Sequence, residues 1–205
     1  MGDKVVPVPE HVEPVVFTRE QLDWLPWLEP MAEQDLTARH MTALVDAARA
    51  QSPYFRLLVR DPEVLEARTR TDKDIFYNPD AGLPRAEREL AAAATSRFNG
   101  CIYCASVHAR FAATYSKRAE DVDRLLADGV GVDLDARWSA IVAASVALTS
   151  TPIAFGPDHV DALRRVGLDD ASIVDVINAA SFFNWANRLM LSLGEPAASG
   201  AATAR

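Results

Sequence analysis

Two cysteines among 205 residues are too few for the disulfide framework of a small secreted domain, so their placement matters more than their number. Positive charge is also scarce. Against 29 Asp and Glu stand 21 Lys and Arg, a formal charge of −8, which excludes a broad basic footprint for nucleic acid. Long apolar runs are missing too: the best, Ile141 to Leu148, falls far short of the roughly 18 residues needed to cross a bilayer. At the N-terminus, Pro7 and Pro9 interrupt the chain before the apolar core of a signal peptide, about 7–15 residues, is reached. The expectation is a cytoplasmic product with no membrane and no nucleic-acid partner. Few segments alternate strictly between apolar and polar residues, which leaves little room for half-buried strands.

What the chain does have is a period of 3.6. Leu36, His40, Leu44, Val45 and Ala48 recur at helical spacing from Asp35 until Ser52-Pro53 stops the pattern. Asp61-Pro62 pairs an acidic cap with proline at the first helical position, and Leu83-Pro84-Arg85 opens an alanine-rich helix in a similar way. Further helices are expected from Ala119 to Gly129, Asp135 to Thr149, Asp158 to Val166, and Asp169 to about Leu193. The predicted fold is all-α. Residues 1–30 form a proline-rich N-terminal arm that wraps another surface, residues 31–195 the helical domain, and residues 196–205 a disordered tail. The Arg68–Asp74 stretch reads as a solvated mixed-charge face.

Chemistry concentrates around Cys101-Ile102-Tyr103-Cys104. With Asn99 as a candidate N-cap, Cys101 enters the first turn of a helix, and Cys101, Cys104 and His108 fall at i, i+3 and i+7 on one face. A helix N-terminus and a nearby histidine both favour thiolate, the reactive form of cysteine. A second cysteine one turn away can resolve a sulfenic acid as a disulfide. Glu89, twelve residues upstream, reaches the same turn if its helix packs antiparallel, where it would exchange protons with Cys101 or His108. The residues alone leave two other readings open: two inert buried thiols, or a zinc site built from Cys101, Cys104, His108 and Glu89.

The spacing Glu89-x11-Cys101-x2-Cys104-x3-His108 resembles the signature of the alkylhydroperoxidase D and carboxymuconolactone decarboxylase-like superfamily, in its peroxidase-related branch. Pro26–Pro30, Arg70–Lys73 and Phe182–Arg188 are similar to other segments of the branch called alkylhydroperoxidase domain proteins. The resemblance implies a helical hairpin carrying the cysteine pair and assembly into homo-oligomers, often trimers or hexamers. It also implies roles: Cys104 as the peroxidatic cysteine, Cys101 as the resolving thiol and proton donor, and Glu89 with His108 as a proton relay. Where alkylhydroperoxidase D has histidine before the second cysteine, this chain has Tyr103, and a phenol titrating near 10 is no substitute base at neutral pH.

The expected function is therefore a thiol-dependent peroxidase that reduces organic hydroperoxides or hydrogen peroxide without haem or metal cofactor. A dithiol reductant, lipoyl-type or thioredoxin-like, would reopen the disulfide. Two alternatives use the same pair: a general thiol-disulfide oxidoreductase, and a non-enzymatic redox-sensing or assembly subunit. The intact pair favours thiol chemistry over lactone decarboxylation, because the decarboxylases share the fold without using paired cysteines.

Overall fold

Four consecutive alanines set the geometry of the centre. Leu90 and Ala91–Ala94 are all fully buried in a helix, and side chains this small let neighbouring helices approach it from several sides. The computed structural model describes residues 14–80 and 82–200. In chain order it comprises strand β1 (Leu22–Pro26) and helices α1 (Ala38–Leu44), α2 (Pro53–Leu58), α3 (Pro62–Tyr77) and α4 (Arg85–Phe98). Then follow α5 (Ile102–Ser116), α6 (Ala119–Asp128), α7 (Ala136–Thr149), α8 (Pro157–Arg165), α9 (Asp170–Leu193) and strand β2 (Gly194–Ala198). Helix α4 is the axis, packed against α5, α7 and α9. No helix among the described residues is long and apolar enough to cross a membrane.

The fold is the all-helical one expected, and the acidic caps lie where the sequence puts them. Asp61, Asp135 and Asp169 each accept backbone N–H groups at the start of α3, α7 and α9, satisfying donors that the first helical turn leaves free. The helix expected from Asp35 to Ser52 is instead broken. Val45 takes a left-handed conformation at φ 64°, after which the Asp46 carboxylate accepts from Ala48 N–H and caps a separate 3-10 turn at Ala47–Gln51. Pro84 differs as well: it sits just outside α4 as its cap rather than at the first helical position. His40 and His159 each accept a backbone N–H at the start of a helix.

The two ends of the chain meet. Within the expected N-terminal arm, β1 pairs antiparallel with β2, matching Leu22 to Ala198 and Pro26 to Gly194, and Trp27 N–H continues the contact to Leu193 C=O. Residues 196–198, expected in a disordered tail, thus belong to a strand whose Ala197 is fully buried. The ladder satisfies backbone groups that composition gave no reason to pair. The arm's residues 1–13 and the tail's residues 201–205 lie outside the described residues. Arg68 and Thr69, expected on a solvated face, are both buried.

Candidate active site

The site grows from the turn between α4 and α5. Gly100, at φ 79°, reverses the chain, and Cys101 N–H bonds Ser96 C=O at 2.9 Å. Asn99 is the C-cap of α4 rather than the N-cap of α5, and Cys101 itself takes the N-cap position. The Asn99 amide is used elsewhere, donating to Asn184 Oδ1 at 3.1 Å and Asn187 Oδ1 at 3.0 Å on α9. Asn187, fully buried, donates in turn to Ser96 Oγ at 3.0 Å. The C-terminal end of α4 is thereby tied to α9 beside the thiols.

Cys101 and Cys104 are free and buried, and their thiols hydrogen-bond each other with the Asn187 amide alongside. The two titrate as a pair. Cys101 is held below the usual thiol value, first because the Cys104 thiol donates to it, then through the Cys104 backbone N–H and Asn187, against the opposing effect of burial. Cys104 is pushed well above, by that same bond to Cys101 and by burial. The first proton lost therefore leaves a shared anion weighted toward the helix N-terminus.

Helices α4 and α5 pack as an antiparallel hairpin, and this brings Glu89 to His108: Oε2 lies 2.6 Å from Nδ1. The other carboxylate oxygen accepts from Arg85 Nε–H at 3.1 Å. With Nδ1–H donating to the carboxylate, Nε2 remains the nitrogen able to take or give a proton. The imidazole is clasped by two rings, Phe183 at 3.8 Å and Phe76 at 5.1 Å between centroids.

Cys104, His108 and Glu89 open on one cavity of about 170 Å³, whose apolar wall includes Phe76, Phe183 and Met190. Cys101 does not line it. That residue borders a second cavity of about 190 Å³ beside Trp24 and Trp27, and Tyr103 is shared by both. Burial raises the Tyr103 phenol above its ordinary range, with the negative charge of the cysteine pair adding to the effect, so it stays protonated and cannot act as a base. All four residues picked from the sequence thus meet at one hairpin, with the thiols facing different spaces. The zinc arrangement is not met, because no group of three or more His, Cys, Asp or Glu side chains among the described residues is placed to hold a metal ion.

Sequence reasoning missed Tyr54 and Arg68, which line the Cys104 cavity from α2 and α3. Tyr54 is buried and pushed up to about 12 by desolvation, a rise that Arg68 partly opposes. Neither position carries a local signal, since each is brought in from a segment more than thirty residues before the cysteines. Phe182 and Phe183 turn inward, while Trp185, one turn beyond Phe182 and in edge contact with it, is 40% exposed.

Residues 62–147 match the model of the Carboxymuconolactone decarboxylase family. Among solved structures, an uncharacterized peroxidase-related protein from Silicibacter sp. TM1040 is 25% identical, with a TM-score of 0.61 over 69% of this chain and 74% of that one. The alkylhydroperoxidase AhpD core of a peroxidase-related protein from Ralstonia eutropha JMP134 gives a TM-score of 0.69 at 20% identity, over 83% and 91% of the two chains. The debrominase Bmp8 gives 0.67 at 16% identity, over 86% and 94%. No curated protein matches the sequence.

Proposed function

The chain belongs to the alkylhydroperoxidase D and carboxymuconolactone decarboxylase-like superfamily, and from that premise we propose that it is a thiol-dependent peroxidase. Fold alone does not carry this reading, since related folds serve different chemistry. The observation that carries it is the hydrogen-bonded thiol pair whose Cys104 shares a cavity with the His108–Glu89 dyad.

The cycle starts from the pair with one proton. Cys101 takes the proton of Cys104, and the Cys104 thiolate attacks the distal peroxide oxygen, breaking the O–O bond and leaving sulfenic acid and an alkoxide. The alkoxide is protonated by Cys101, whose thiolate then attacks Cys104 sulfur. The disulfide forms and hydroxide departs as water, taking the proton that His108 Nε2 gained when the preceding reduction delivered two protons and left the cysteine pair with one. An external dithiol reduces the disulfide by exchange and is itself oxidised. The shared anion favours Cys101 at rest, so Cys104 reacts from the minor protonation state of the pair, and its access to the cavity is what selects it.

The test is consumption of cumene hydroperoxide with dithiothreitol as donor, paired with mass spectrometry after one equivalent of peroxide. Sulfenic acid at Cys104 in Cys101→Ser, and none at Cys101 in Cys104→Ser, is expected. Full turnover in Cys104→Ser overturns the assignment. A rate with a model disulfide far above that with hydroperoxide would mark a general thiol-disulfide oxidoreductase instead.

A further inference from the structure

Arg68 is a buried cation with unused donors. It is only 9% exposed, and its Nε and Nη1 atoms are buried without a hydrogen-bond partner. Its flat faces are covered by aromatic rings, with Phe182, Phe55 and Tyr54 at 5.4, 5.6 and 5.7 Å from the guanidinium carbon. Ring faces attract the charge but leave edge N–H groups unsatisfied. Nearby carboxylates are already engaged: Asp72 pairs with Arg49 at 3.5 Å, and Glu89 is held by Arg85 and His108. Guanidinium does not shed its proton in proteins, so the charge persists and calls for an anion.

A second donor accompanies it. The Tyr54 hydroxyl is also buried without a hydrogen-bond partner, and its raised pKa keeps it an O–H donor at any physiological pH. Arg68 and Tyr54 both line the cavity of about 170 Å³ that holds Cys104. Cys104 supplies no resting counter-charge, since the shared anion of the thiol pair lies toward Cys101. A dry apolar cavity of about 150 Å³ accommodates a benzene-sized body, and the walls formed by Phe76, Phe183 and Met190 suit one.

We propose that Arg68 and Tyr54 bind a carboxylate, so that the preferred substrate is a compact organic hydroperoxide with an apolar body of about one ring and an anionic carboxylate at the end remote from the peroxide. Carboxylate is favoured because it accepts in a plane from the guanidinium edge while keeping lone pairs for the phenol. The inference rests on the peroxidase reading for the word hydroperoxide and on the cavity alone for the word carboxylate.

Two measurements separate those parts. Isothermal titration of the reduced protein with benzoate and with benzamide, its neutral isostere, needs no turnover. Benzoate is expected to bind at least about tenfold tighter, which corresponds to about 1.4 kcal/mol, with the preference lost in Arg68→Met and reduced in Tyr54→Phe. Equal binding of the two, no detectable benzoate binding, or a preference unchanged in Tyr54→Phe and any folded Arg68 variant overturns the proposal. Tyr54→Phe changes only a hydroxyl, so it keeps the test decisive if Arg68→Met does not fold. In the second measurement, cumene hydroperoxide is compared with its para-carboxylate derivative. Arg68→Lys should raise KM for the carboxylate substrate alone, whereas a purely structural role would alter both substrates alike. Benzoate preference without peroxidase activity would sink the peroxidase reading and leave this one standing; activity without carboxylate preference would do the reverse.

Discussion

Replacing Glu89 by Gln keeps the size and shape of the side chain and removes its charge. Glu89 is 1% exposed and accepts two hydrogen bonds, from Arg85 Nε–H at 3.1 Å and from His108 Nδ1–H at 2.6 Å. Glutamine has one acceptor oxygen and one NH2. Arg85 can only donate, so the oxygen stays with Arg85 and the NH2 faces His108. The imidazole must then accept at Nδ1 and carry its proton on Nε2, the reverse of the arrangement in which Nε2 takes up a proton in the cavity. A hydrogen bond to a charged group contributes about 1.5–3 kcal/mol, and one of the two survives in part, so a stability loss of about 1–3 kcal/mol is expected. For a chain of this size that lowers Tm by roughly 2–12 °C. The catalytic effect should be much larger, a fall in kcat of about 10²–10⁴-fold, the usual contribution of a positioned proton-transfer group. Hydroperoxide consumption with saturating dithiothreitol, alongside a circular-dichroism melt, reads both. A folded Glu89→Gln protein whose kcat stays within about threefold of the parent would refute the relay, because the tautomer reversal leaves no room for so small an effect.

Other perturbations probe the scaffold and its charges. A Cβ on Gly194 would fall against the Leu25 carbonyl oxygen and the Trp24 indole, so Gly194→Ala should separate β1 from β2 and lower stability by about 1–3 kcal/mol in urea unfolding; an unchanged midpoint would show that the strand pair yields freely. Ala93→Leu inserts volume between α4 and its neighbours at a fully buried position, with a similar expected loss of about 1–3 kcal/mol, and a gain would reveal unfilled space there. The Arg124 guanidinium, then that of Arg118, holds the Asp121 carboxyl below the usual carboxylate range. The native carboxyl therefore binds its proton later than the unfolded one, near about 3.9, and its stabilisation is present above that value and lost as pH falls through the native pKa. Asp121→Asn should accordingly be less stable than the parent at pH 7, with the difference closing in acid; a constant difference from neutral pH to about pH 2 would contradict the pairing.

Much of the fold was legible because helices announce themselves locally. The caps at Asp61, Asp135 and Asp169 follow from chemistry within one turn of each residue, and the sequence reading located all three helices they open. The broken helix at Val45 was not legible, since the periodicity of Leu36, Leu44 and Ala48 continues through it and only the competing Asp46 cap diverts the backbone. At the site, Glu89, Cys101, Cys104 and His108 could be picked out because one hairpin holds them all at fixed spacing. Asn99 was misplaced by one helix, as a capping residue beside glycine fits the end of α4 as well as the start of α5.

The sequence by itself determined a helical chain with a cysteine pair at the start of a helix, because capping, periodicity and short-range spacing act over a few residues. Only the tertiary structure decided that the two thiols face different cavities, that Glu89 bonds His108 rather than a cysteine, and that the chain's ends close into a strand pair. It also turned Arg68 from an apparent surface charge into a buried one. These outcomes depend on how α3, α5, α7 and α9 pack around α4 and how α2 packs against β1, and contacts between distant segments leave no periodic or local trace from which they could have been read.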